Sequence, residues 1–187
     1  MVVYVGIDPS YKRTGISIYC EGKVRITSVS LESDPNKSFE KIYLDVQNQV
    51  SQIIRAIRGK VALLGPDLDF KVLTECPPPQ GSFAPGLWAL DVSMIKELKG
   101  MGAEVFRVCP NYIGHFHGKR TFNKSESVEK AKVILKKFDH SVDGRLSHDQ
   151  AESFIFLCRL LSREGILDKE IGKEFPALTH EKEKEVG

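Results

Sequence analysis

The chain has 187 residues, 41% of them hydrophobic, which is enough for one ordinary core and too few for two. Its formal net charge of +2 points to no polyanionic partner by itself, and no stretch approaches the roughly 18 apolar residues of a membrane span. The start, Met1-Val2-Val3-Tyr4, lacks the basic and apolar regions of a signal peptide, and Cys20, Cys76, Cys109 and Cys158 stand far apart without a CxxC pair. The expectation is a cytoplasmic (intracellular) protein with reduced thiols, without a disulfide frame, zinc site or membrane anchor.

Residues 2–7 are almost all apolar and β-branched, as in a central strand covered on both faces, and the run stops at Asp8. Residues 14–20 and 23–30 read as two further strands joined at Glu21-Gly22, so three antiparallel strands open the fold. Phe39, Ile42, Val46, Val50, Ile53, Ile54 and Ile57 recur at the spacing of one helix face, which predicts a long helix ending near Gly59. Gly65-Pro66-Asp67 forces a loop. FKVLTE (70–75) reads as a buried strand that again ends on an acid, Glu75, and Pro77-Pro78-Pro79 forbids both helix and ladder just after it.

A helix is expected from about Leu87 to Lys99, stopped by Gly100 and Gly102, followed by a strand over 103–108. His115 and His117 share one side of a segment read as extended; with no Cys or acid nearby they are not read as metal ligands. Asn123 with Glu126 is a capping signature for a helix through Val128, Ala131, Val133, Ile134 and Leu135. Ser147 with Gln150 is a second, for a helix whose apolar stripe is Ala151, Phe154, Ile155, Cys158 and Leu161. The order β-β-β-α-β-α-β-α-α predicts an α/β protein with a mixed five-stranded sheet, three antiparallel strands then parallel ones, flanked by helices. The folded domain is expected over residues 1–165. The charged segment 166–187, ending in HEKEKEVG, has too few apolar residues to pack and is expected to be flexible.

Carboxylates fall at suggestive places in this order. Asp8 ends the first strand, Glu75 ends the fourth, and SHDQAE puts Asp149 and Glu152 three residues apart on one face at the start of the last long helix. If the first and fourth strands are neighbours, Asp8 and Glu75 leave the same sheet edge, and a helix start brought there completes a group of four. Carboxylates so gathered stay ionised only with divalent cations between them, and hard oxygen ligands select Mg²⁺ or Mn²⁺. Two such ions can activate a water and stabilise the leaving oxygen of a phosphodiester. Taken singly each acid has a plainer role, since helix starts favour acids and Asp8-Pro9 is an ordinary turn opening; their co-occurrence is what points to metal. Between Lys96 and Lys137, ten Lys and Arg stand against four Glu, a local basic stretch able to meet phosphates.

GIDPSYKRTGISIY resembles the opening of the RuvC family of Holliday junction resolvases, within the RNase H-like (retroviral integrase) superfamily. The matching residues are Gly6-Ile7-Asp8-Pro9 and Thr14-Gly15; VLTE is similar to the strand carrying that family's Glu, here Glu75, and HDQAESFIF to its closing acidic segment, here Asp149 and Glu152. SVEKAKVIL is similar to the family's basic helix start and would place its active-site lysine at Lys130. The resemblance spans about residues 3–161 and implies an RNase H-like fold. It also implies a homodimeric, magnesium-dependent endonuclease that resolves four-way DNA junctions by paired nicks, in recombination and repair. Asp8, Glu75, Asp149 and Glu152 would be the metal ligands, two ions to a site.

Two departures stand out. Glu152 occupies a position more often Asp, and CPPPQGSFAPG differs from the family's usual segment after the Glu. In that loop Phe83 is a candidate to stack on an unpaired base, and Lys119, Arg120 and Lys124 are candidate phosphate contacts. His148 is placed either to orient a water or simply to start the helix, and Trp88 belongs to the core or a dimer interface. Other readings are an RNase H-like nuclease for forks or RNA–DNA hybrids, and a junction-binding protein that does not cut. An actin-like ATPase is set aside, because such proteins clamp nucleotide between two domains of this kind.

Overall fold

Alternating and continuous apolar runs become five strands: β1 (Val2–Asp8), β2 (Arg13–Cys20), β3 (Lys23–Ser30), β4 (Asp69–Glu75) and β5 (Glu104–Val108). The computed structural model describes residues 1–30, 38–78, 84–110, 112–118, 123–138 and 146–179, the side chains of Phe39, Ala84 and Pro85 excepted. Strand order is β3-β2-β1-β4-β5. β1 pairs antiparallel with β2 and β2 with β3, whereas β4 runs parallel to both β1 and β5. The expected mixed α/β sheet is thus the one that forms. The β2–β3 hairpin turns on Glu21 and Gly22, both at positive φ (51° and 76°), a handedness that matches the twist of paired strands.

Helices cover both faces. α1 (Phe39–Val61) and α2 (Ala84–Gly100) pack on one side, where Val3, Val5, Ile7, Ile16, Ile18 and Val72 meet Val46, Val50, Ile53, Ile57, Leu90 and Met94. On the other side lie α3 (Tyr112–His117), α4 (Lys124–Lys137), α5 (His148–Arg163) and α6 (Lys169–Glu174). α5 is the central helix of that layer: every residue from Ser153 to Leu161 is buried, between the sheet and the remaining helices. Its start carries the full capping box foreseen at Ser147 and Gln150, and Asn123 caps α4 by accepting from the Ser125 N–H at 3.1 Å.

Two expectations are corrected. Residues 112–117 are helical, with Tyr112 and Phe116 one turn apart and buried, so His115 and His117 do not share a side: the first is exposed and the second enclosed. The chain beyond 165 is not a loose tail as far as it is described. Leu167, Ile171 and Leu178 are buried, and Phe175 stacks on Phe116 with centroids 6.2 Å apart. Few apolar residues suffice because polar anchors assist them. Buried Arg159 donates to the Leu178 carbonyl at 2.8 Å and the Tyr112 hydroxyl to the Ala177 carbonyl at 3.1 Å. Residues 180–187 lie outside the described residues. No described helix is long and apolar enough to cross a membrane, and all four cysteines are free thiols.

Candidate active site

Asp8 is the last residue of β1 and Glu75 the last of β4; the parallel register, Val2↔Asp69 to Ile7↔Thr74, brings both acids out at the same sheet edge. Side chains alternate along a strand, so both turn to the α5 face, as do Gly6 and Leu73 two residues earlier. Asp149 lies in the first turn of α5, with Glu152 three residues on. The helix comes this close because two strand residues have no side chain. A Cβ on Gly15, the partner of Asp8 in the β1–β2 ladder, would stand 2.0 Å from the Asp149 carbonyl oxygen, and one on Gly6 would stand 2.2 Å from that of Ser153. A buried contact between the Ser17 and Ser153 hydroxyls at 2.8 Å closes the seam. The glycines of GIDP and TG therefore have a packing cause. They let the helix deliver its acids to Asp8.

The electrostatic result is plain. Burial first, then the charges of Glu152, Glu75 and Asp149, push the Asp8 carboxyl well above the usual range, against a smaller opposing pull from Lys124. Burial likewise raises Glu152 to about 6, with Asp149 adding to the rise; Lys124 and hydrogen bonds with Ser127 and Asp8 oppose it. All four sequence-predicted acids therefore meet in one electrostatic cluster around Asp8. Such a donor set holds either protons or hard cations, and four hard oxygen groups fit Mg²⁺ or Mn²⁺ better than zinc.

This sheet, with a closing helix laid across its acidic edge, has solved counterparts. A Thermus thermophilus RuvC structure superposes with a TM-score of 0.54 at 18% identity, covering 88% of this chain and 97% of that one. The chain has a RuvC-like fold. T. thermophilus RuvC in complex with Holliday junction substrate matches with a TM-score of 0.53 at 15% identity, over 89% and 98% of the two chains. No protein-family model matches the sequence, and no curated protein sequence matches it. The RNase H-like architecture expected from the opening motif is thus present across nearly the whole described chain.

Within this RuvC-like frame each acid also has its own neighbour. Glu75 accepts the Tyr112 N–H at 3.1 Å, at the start of α3. Asp149 Oδ1 lies 2.8 Å from His148 Nε2, and Glu152 Oε1 accepts the Ser127 hydroxyl at 3.4 Å. As they stand, no group of three or more His, Cys, Asp or Glu among the described residues is arranged to hold a metal ion. The carboxylates gather in one place, but these contacts point them toward different protein groups.

Lys124 bears on the cluster. Its ammonium lies 3.1 Å from His148 Nε2 and its charge favours ionised Asp8 and Glu152. Lys130, expected from the resemblance to be the active-site lysine, places its ammonium 4.9 Å from the centre of the Phe116 ring. Both residues lie on α4, but Lys124 is its first residue and stands beside the start of α5. Burial lowers the basicity of His148, helped by Lys124 and Arg13 and opposed by Asp149. Its neutral ring can donate Nε2–H to Asp149 or, as the other tautomer, accept a hydrogen bond at Nε2 from the Lys124 ammonium, one at a time. Phe83, Lys119 and Arg120 lie outside the described residues. Sequence reading weighed His117 only as a metal ligand and did not single out Ser127; their side chains pair at 2.9 Å beside Glu152. Their signal, a His and a Ser in separate helices, carries no local pattern.

Proposed function

We propose that this chain is a metal-dependent, structure-selective DNA endonuclease that resolves Holliday junctions by paired nicks across the branch point, serving recombination and repair. The observation that carries this reading is the convergence of Asp8 and Glu75, at one edge of the sheet, with Asp149 and Glu152 at the start of α5, which two strand glycines let lie against that edge. Those four carboxylates would hold two Mg²⁺ ions, with Mn²⁺ able to substitute. When bound, such ions supply an activated water and stabilise the departing phosphodiester oxygen.

The chain's own residues do the rest. Lys124 offsets part of the acids' negative charge where a phosphate approaches, and neutral His148 steadies Asp149. Lys119, Arg120 and Phe83 contact the backbone and a base at the branch point. A second copy completes the enzyme, since two opposed strands need two sites. Support comes from apolar side chains left exposed on the outer helices, Tyr43 and Leu44 on α1 and Trp88 and Val92 on α2; Trp88 is thus not a core residue. The likeness to the RuvC structure solved with Holliday junction substrate supports branched DNA as the partner.

The test is a synthetic four-way junction incubated with the protein and Mg²⁺ or EDTA, with products mapped at nucleotide resolution beside a fork and an RNA–DNA hybrid. Symmetrical nicks in opposed strands, made with Mg²⁺ and absent in EDTA, are expected. Preference for the fork or hybrid, or tight junction binding without nicks, overturns the proposal.

A further inference from the structure

Glu152 has a longer arm than an Asp would have, with more rotamers to lose before it can hold a ligand. The structure supplies a brace for it. Ser127 on α4 is fully enclosed, and its hydroxyl donates to Glu152 Oε1 at 3.4 Å. Behind Ser127, in turn, His117 Nε2 lies 2.9 Å from the same hydroxyl oxygen. A hydroxyl that gives its proton to Glu152 accepts through its oxygen, so His117 carries its hydrogen on Nε2 and donates to Ser127. The His117 side chain has no solvent access, and its other nitrogen stands 3.9 Å from Glu126 Oε2. His117 comes from α3, the helix whose first N–H binds Glu75, so α3 touches one acid directly and reaches a second through Ser127.

We infer that Ser127 and His117 are positioning residues for the nuclease site, holding the arm of Glu152 on the side of the cluster where Asp8 lies, so that a small turn of the carboxylate is all a cation requires. This rests on the nuclease reading above and deepens it. A purely structural pair would clamp α3 to α4 with the hydroxyl satisfied by the imidazole alone. Here the hydroxyl has a second partner, and that partner is a candidate ligand. The pairing also accounts for the glutamate: an Asp at 152, withdrawn by one methylene, loses Ser127.

The experiment uses the full chain. Mn²⁺ affinity is measured by EPR titration without DNA, and kcat and KM for junction nicking are measured in Mg²⁺. Melting temperature and junction binding in EDTA report on folding. Ser127→Ala is expected to weaken Mn²⁺ binding by about 10- to 100-fold and to lower kcat with KM unchanged. Ser127→Thr, which keeps the hydroxyl, is expected to stay within a few-fold of the unmodified chain. In a Glu152→Asp background, Ser127→Ala should cost no further Mn²⁺ affinity.

Unchanged Mn²⁺ affinity and kcat in folded Ser127→Ala overturn the inference, as does an equal loss with Asp at 152. If Ser127→Ala does not fold, His117→Gln, which retains an N–H donor, is compared with His117→Leu, and equal losses overturn it. Failure of the unmodified chain itself to bind Mn²⁺ or nick DNA overturns the nuclease reading and this inference with it. That outcome is distinct from one in which the unmodified chain works and Ser127 proves irrelevant.

Discussion

Asp8 sits at the end of a strand covered on both faces, and its carboxyl has a raised proton affinity because burial and three neighbouring acids all disfavour its charge. Glu152, lifted from 4.5 to about 6, behaves likewise. A carboxyl whose folded pKa exceeds its unfolded value contributes stability that is complete below the unfolded pKa and is lost as pH rises through the folded one. For Glu152 the loss runs from about pH 4.5 to just above 6 and amounts to about 2 kcal/mol. Asp8→Asn removes a buried charge that three neighbouring acids repel. Without divalent ions, its melting temperature relative to the unmodified chain, followed by circular dichroism, should therefore rise as pH climbs above the ordinary Asp value of 3.8. Adding Mg²⁺ at pH 8 should raise the melting temperature of the unmodified chain and leave Asp8→Asn nearly unmoved. A variant curve parallel to the parent at every pH would contradict the charge argument.

At the scale of elements, the contact of α5 with β1 and β2 builds the site. A methyl on Gly15 cannot fit 2.0 Å from a backbone carbonyl, so Gly15→Ala must lift the start of α5 off the sheet. Overpacking of this kind costs about 1–3 kcal/mol. Nicking should fall further than stability does, because Asp149 and Glu152 move with the helix; denaturant melts and the junction assay, run on the same preparation, separate the two losses. The strands, their sequential order and the places of the four acids at strand and helix ends were legible in the sequence, since each depends on local pattern: apolar runs, turn residues, caps. That β1 and β4 are neighbours entered there only as a condition, and the glycines only through the resemblance. α3 was not legible, because six residues hold barely more than one helical period, although Tyr112 and Phe116 stand at helical spacing. Segment 166–179 escaped for another reason. Its burial rests on Arg159 and Tyr112 reaching its carbonyls, which no count of apolar residues detects. Lys124 and Lys130 share a helix and a charge, and only the approach of α4 to the start of α5 distinguishes them.

For the whole molecule, one layer of helices brings the acids Asp149 and Glu152 to the sheet edge, and the other holds Tyr43, Leu44, Trp88 and Val92 at the surface. Leu44 and Val92 are 60% and 61% exposed, and the second copy proposed above would cover them. Leu44→Glu combined with Val92→Lys should convert a dimer to a monomer in sedimentation equilibrium and abolish paired nicking of a junction. The fold should survive, since neither side chain supports the core. A parent that sediments as a monomer would remove the dimer from the proposal.

The hydroxyl contact between Ser17 and Ser153 joins positions 136 residues apart. The opening hairpin therefore leaves a ribosome long before α5 has been made. A nascent chain carries Asp8 well ahead of Asp149 and Glu152, so the four acids can gather only after the last long helix has emerged.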